Sequence, residues 1–196
     1  MTGRILLRSL GSEDVTPVYV SWLNDPEVFR YLGIRHRRRP FTEEDIRSFL
    51  EDCMARCRFH WGIFLDSRHV GNVSCSEWSN ENRWIDISYI IGDKEVWGRG
   101  VATLSVGAAI SNLFSVHHYH RVQAHAVVEN LASIRVMAKL GMRRDALFRE
   151  SAYFPQENRF IDEVIYSVLQ WEWNPRIAGF DKVKIYPMPW EQKDSH

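Results

Sequence analysis

The chain has 196 residues, 45% of them hydrophobic and 26% charged, which suits one well-packed globular domain. Lys plus Arg and Asp plus Glu number 25 each, so no net charge draws the protein to nucleic acid or an anionic membrane, and any phosphate recognition must be local. The apolar start is too short for a signal peptide and no run approaches transmembrane length, so a soluble, cytoplasmic protein is expected. The cysteines, Cys53, Cys57 and Cys75, form no even disulfide framework and have no zinc-finger spacing; they read as small buried or half-buried thiols.

Ile5, Leu6 and Leu7, flanked by arginines, predict a first strand. Ser12 is placed to cap a helix through Leu23, with Val15, Val18, Tyr19 and Leu23 at helical spacing. Pro26 suits the first turn of a short second helix reaching about Leu32. A loop follows, carrying Arg35-His36-Arg37-Arg38-Arg39-Pro40. Thr42 then opens a helix with acids in its first turn and a predicted buried stripe of Ile46, Phe49 and Leu50. From residue 60 the period becomes two: strands over 61–65 and 69–78 form a hairpin, and 83–91 supplies a third neighbour. A helix over 100–116, a strand over 121–128 and a helix over 131–140 come next. Gly141 stops the last of these where a left-handed cap is needed. Two final strands, 142–154 and 159–169, flank a turn. The expected fold is a mixed, mostly antiparallel α/β sheet (α+β type) with flanking helices. It forms one domain over 1–173, followed by an irregular tail over 174–196 that Tyr186 and Trp190 partly order.

The most informative stretch is Trp97-Gly98-Arg99-Gly100-Val101-Ala102-Thr103-Leu104, caught between a strand and a helix. Two glycines let backbone approach a ligand, and a helix's first turn offers unpaired N–H groups backed by a partial positive charge. That makes a seat for phosphate. The turn lacks the Lys-Ser/Thr ending of a triphosphate loop and the third glycine of a dinucleotide fingerprint. One strand later, Asn130 and Ser133 stand at a strand end and in a helix's first turn. There they either cap the helix or face a ligand.

Together, Tyr89-Ile90-Ile91-Gly92, the 97–103 turn, Asn130-Leu131-Ala132-Ser133, Lys139-Leu140-Gly141-Met142 and the closing Asp162, 166–169 and Glu172-Trp173 resemble the GNAT superfamily of acyl-CoA-dependent N-acetyltransferases. More narrowly, they are similar to the RimJ/RimL-like branch, which contains ribosomal-protein N-terminal acetyltransferases. The resemblance implies that the turn, from Trp97, Gly98, Arg99 and Gly100 through Val101, Ala102 and Thr103, holds the pyrophosphate of coenzyme A. It implies a splayed pair of strands, ending at Ile91 and starting at Arg121. The pantetheine would lie in that gap along the backbone of Ile90 and Ile91, facing Asn130 and Ser133. A strand N–H would polarise the acetyl carbonyl. Two departures are visible. Trp97 stands where many relatives have Gln or Arg, and Met137 where many carry a thiolate-protonating tyrosine; Ser133 or a water would supply that acid.

An acceptor amine is almost wholly protonated at neutral pH and must be deprotonated before attack. Asp86 and His125, on the two strands bordering the gap, are the candidate bases, although each also reads as an ordinary sheet residue. His117, His118 and His120 lie past the far end of the helix that starts at the turn, about 24 Å away, and read as a solvated helix end. No metal site is expected. In the family the N-terminal helices and last hairpin shape the acceptor pocket, which places Trp22, Tyr31, Arg35, Arg37, Arg38, Arg39, Tyr153 and Phe154 near it. The expected activity is acetyl transfer from acetyl-CoA to a primary amine, either a protein N-terminus or a small amine such as an amino sugar, polyamine or aminoglycoside. The chain would act as a monomer or homodimer without nucleic-acid or membrane partners. The alternative is a non-catalytic acyl-CoA sensor of the same fold.

Overall fold

The computed structural model describes residues 3–32, 39–79, 81–175 and 179–191. Eight strands form one sheet: β1 (Ile5–Ser9), β2 (His60–Leu65), β3 (Arg68–Ser79), β4 (Trp84–Ile91), β5 (Arg121–Val127), β6 (Arg143–Phe154), β7 (Arg159–Leu169) and β8 (Lys184–Ile185). Their spatial order is β6-β7-β5-β4-β3-β2-β1-β8. Neighbours run antiparallel except β4–β5 and β1–β8. Among the described residues the α-helices are α1 (Pro17–Asn24), α2 (Pro26–Phe29), α3 (Glu43–Ala55), α4 (Val101–Ser115) and α5 (Leu131–Lys139).

Strand alternation sends successive side chains to opposite faces, and each face finds its own helices. Leu7, Trp61, Ile63, Val73, Ile85, Ile87, Val122 and Ala124 are buried in one cluster with Ile110 and Leu113 of α4 and Met137 of α5. On the other face Phe64 joins Tyr19 and Trp22 of α1 with Ile46 and Leu50 of α3. A third cluster, of Val127, Ala152, Phe154 and Ile161, takes Tyr31 against it.

The feature that creates the site is a failure of pairing. β4 and β5 are in register only at Trp84↔Arg121, Ile85↔Val122 and Asp86↔Gln123. Beyond Asp86 the two strands part, while β4 continues to pair with β3 through Gly71↔Ile91. This is the expected splayed pair, set in the expected mixed, mostly antiparallel sheet.

Several local expectations change. Ser12 begins a three-residue 3-10 turn rather than the helix, and α1 starts after Thr16, whose side chain accepts from the Tyr19 N–H while Pro17 takes the first turn. Phe49 is 44% exposed and only rims the Ile46–Leu50 stripe; Cys53 fills the buried position one turn on. Thr42 does cap α3, with a reciprocal box to Asp45. The segment expected to be an irregular tail adds β8, whose Leu6↔Lys184 and Leu7↔Ile185 pairs extend the sheet, and it buries Phe180 and Met188.

Candidate active site

Gly98 and Gly100 carry φ values of 71° and 82°, in the left-handed region that a side chain disfavours. A Cβ at either position would meet nothing within 4 Å, so the turn stands open on that side. Gly100 is the N-cap of α4 and supplies no side chain, and the first turn of that helix has no acid. The amides of this long helix are therefore presented to the groove without a competing cap. The turn is held rigidly: Asp93 caps the 3-10 turn Lys94–Val96, and the Trp97 indole N–H donates to the Ile91 carbonyl at 2.7 Å. Lys94 reaches Asp25 at 2.7 Å and Glu27 at 3.0 Å, tying the same loop to α2.

The turn opens into a groove of about 730 Å³ between the diverging strands and α5, lined along its length by Trp97, Gly98, Gly100 to Thr103, Tyr89 to Ile91, Asn130 and Ser133. Of the residues read from sequence as coenzyme contacts, only Arg99 is not on this lining. Asn130 caps α5, its side chain accepting from the Ser133 N–H at 3.2 Å, and it also lines the groove. Arg135 and Lys139 lie one helical turn apart on α5 and add positive charge to the same wall. Glu27, Arg30 and Tyr31 of the α2 region also line the groove. Arg30 is ion-paired to Glu157 at 3.1 Å, and Arg159 bridges Glu157 and Glu129, fixing α2 to the tip of the β6–β7 hairpin.

Asp86 and His125 do not line the groove. Asp86 lies between the buried Ile85 and Ile87, and His125 between Ala124 and Ala126, so both project to the face opposite α4 and α5. There His125 Nε2 stands 3.3 Å from Asp86 Oδ1, at the point where the strands part. Contact with Asp86, and the charge of Glu163 on β7, hold the imidazole above its ordinary value against the opposing pull of burial. The two sequence candidates are thus one pair.

The expected acceptor aromatics divide. Tyr31 lines the groove and packs its ring 6.1 Å from Phe154, which is itself buried. Trp22 belongs to the core, wedged against Tyr19, His69 and Gly92. Tyr153 is turned to Phe160 and to Asn158 at the hairpin tip. Arg39 makes a bidentate pair with Asp45 at the start of α3, and Arg35, Arg37 and Arg38 lie outside the described residues. Among the histidines past α4, His117 is pinned to Glu191 at 2.8 Å.

Arg135, Lys139, Glu27 and Arg30 are groove residues the sequence did not mark as such, and Tyr89 is another. Tyr89 points to the α5 side and places its hydroxyl 2.8 Å from Ser133 Oγ and 3.2 Å from the Ser133 carbonyl. Burial pushes its phenol up to about 12, with Ser133 opposing. The strand period marks Tyr89 as inward-facing, but nothing local shows that its hydroxyl meets a residue 44 positions away.

A split sheet, an open glycine turn at a helix start and a groove joining them define a class, and comparison with known proteins agrees. The model for the Acetyltransferase (GNAT) domain matches residues 4–143, and the chain belongs to this family. It is 28% identical over 177 residues to the uncharacterized N-acetyltransferase YnaD of Bacillus subtilis, covering 88% of this chain and 98% of that one. The fold also matches spermidine N-acetyltransferase from Vibrio cholerae, solved with CoA and spermine (TM-score 0.76, 17% identity, 86% and 97% coverage). It matches RimL, a ribosomal L7/L12 alpha-N-protein acetyltransferase solved with coenzyme A (TM-score 0.74, 17% identity, 85% and 94% coverage). The protein is an acetyl-CoA-dependent N-acetyltransferase of this family.

Proposed function

We propose that the protein transfers an acetyl group from acetyl-CoA to a primary amine by direct attack in a ternary complex. The acyl donor occupies the groove on the α4–α5 side, and the amine reaches it through the gap between β4 and β5 from the opposite face. The observation that carries this reading is the open Gly98–Gly100 turn, which aims the first turn of α4 into the groove that Ser133 and the parted edge of β4 also line. Backbone amides at an uncapped helix start suit a pyrophosphate. Exposed Arg135 and Lys139 suit the remaining phosphate charge of the nucleotide. The Ile90 and Ile91 backbone suits strand-like bonding to the amide-rich pantetheine arm.

On the far face Asp86 and Glu163 surround His125 with negative charge, which favours the arrival of an ammonium ion. Its deprotonation then falls to His125, held by Asp86. Because the imidazole is raised, it becomes a free base only above its ordinary pH range, so the rate should climb with pH on the alkaline side of that value.

The acceptor class is tested by supplying acetyl-CoA with peptides bearing free N-termini, amino sugars and polyamines, and following free thiol. At least one primary amine should release thiol while its N-acetylated counterpart stays silent. Tight coenzyme A binding with no thiol release across all three classes would sink the proposal in favour of a non-catalytic module.

A further inference from the structure

The Tyr89–Ser133 contact joins a strand of the split to the first turn of α5, inside the groove, and the capping of α5 does not require it. Asn130 already accepts the Ser133 N–H, so the serine hydroxyl is not needed there. That hydroxyl has one hydrogen to give, and its direction depends on what the oxygen accepts. The Tyr89 oxygen lies nearer to Ser133 Oγ, at 2.8 Å, than to the Ser133 carbonyl, at 3.2 Å. We infer that Tyr89 is a positioning residue: its phenol donates to Ser133 Oγ and so turns the serine hydrogen outward, toward the sulfur that leaves when acetyl is transferred.

This assignment rests on the acetyl-transfer reading above. The phenol is suited to the role because burial keeps its hydrogen in place throughout the neutral range. In the step itself the ammonium first gives one proton to His125, and the freed amine nitrogen bonds to the carbonyl carbon and sheds its second proton to water. The carbon–sulfur bond breaks and its electron pair goes to sulfur. Ser133 donates a hydrogen bond to that growing negative charge, made stronger by the phenol behind it. Neither Ser133 nor Tyr89 gives up its proton; the thiolate takes one from water. A two-hydroxyl donor chain thus stands where Met137, buried at the position of the tyrosine many relatives carry, has no proton to offer.

A double-mutant cycle tests it, with kcat from thiol release and coenzyme A affinity from direct calorimetric titration. Ser133→Ala should lower kcat on the order of 100-fold, as loss of one donor to a developing charge does. Tyr89→Phe, which keeps the ring, should lower kcat about tenfold with coenzyme A affinity within about twofold of wild type, and should cost nothing further in the Ser133→Ala background. A Tyr89→Phe loss that persists undiminished in that background would mean the phenol serves the carbonyl or the packing, and overturns the assignment. So would unchanged kcat, or weakened coenzyme binding at constant kcat. A wild-type protein that binds coenzyme A yet releases thiol with no amine overturns this assignment and the proposed function together, whereas an active wild type with an indifferent Tyr89→Phe variant overturns this one alone.

Discussion

The two faces of the sheet at the split differ in chemistry as much as in position. On the α4–α5 face stand an open glycine turn, helix amides, Arg135, Lys139 and a pair of hydroxyls. On the opposite face, a strand's thickness away, Asp86 and His125 meet with Glu163 close by. One side suits a polyanion and the other a cation, and the backbone between them is where β4 and β5 stop pairing. The contrast shows how a sheet can sort two substrates by charge without a charged surface overall. The net charge of zero is thus compatible with local fields of opposite sign on the two faces.

Removing the proposed base should give the largest effect. His125→Gln is expected to lower kcat/KM on the order of 100-fold and to flatten the alkaline rise, with acetyl-CoA affinity unchanged; a profile that still rises would move the base elsewhere on that face. Gly100→Val attacks the other side. A β-branched residue at a φ of 82° is strained and its side chain enters the turn's open space. A loss of about 2 kcal/mol in donor binding, about 30-fold in the KM for acetyl-CoA, is expected with kcat for saturated enzyme largely kept. If amine KM rises instead, the assignment of faces is reversed.

Truncating Arg135 and Lys139 to Ala together should raise the acetyl-CoA KM only about fivefold, because exposed charges are screened. Raising the ionic strength should weaken binding by wild type more than by this variant. Asp86→Asn should have the smallest effect on rate. Without its main partner the imidazole falls back, so the midpoint of the alkaline rise moves down. The stability consequence has a definite sign. A His raised by Asp86 gains from the contact fully below its ordinary value, and the gain is lost as pH rises through the raised one. Thermal melts of Asp86→Asn should therefore fall below wild type at pH 5 and converge with it at pH 9.

Much of this arrangement was legible before any coordinates. The Gly98–Gly100 turn, the Asn130 cap and the Thr42–Asp45 box are local chemistry, written in adjacent residues, and each stands where the sequence placed it. What the sequence withheld is contact across distance. The start of α1 was misplaced because Ser12 and Thr16 are both competent caps, and only Pro17 at the first turn decides between them. Phe49 fits the helical period of its neighbours yet lies beyond the edge of what α3 covers. β8 has only two residues, too few to show any period. The Asp86–His125 pair reads from sequence as two separate candidates because pairing between β4 and β5 is non-local, and the Tyr89 contact with Ser133, 44 positions away, is hidden for the same reason.

The junction of β8 with β1 has a consequence for how the molecule is made. β1 leaves the ribosome long before its parallel neighbour Lys184–Ile185 and the Phe180 ring that sits over Gly107 of α4. Domains fold as translation proceeds, at roughly 5–20 residues per second. For much of synthesis, then, the nascent sheet waits with β1 as an open edge, a template for the wrong strand. A nascent chain stalled before residue 180 should be captured by chaperones, while one released past residue 190 should not.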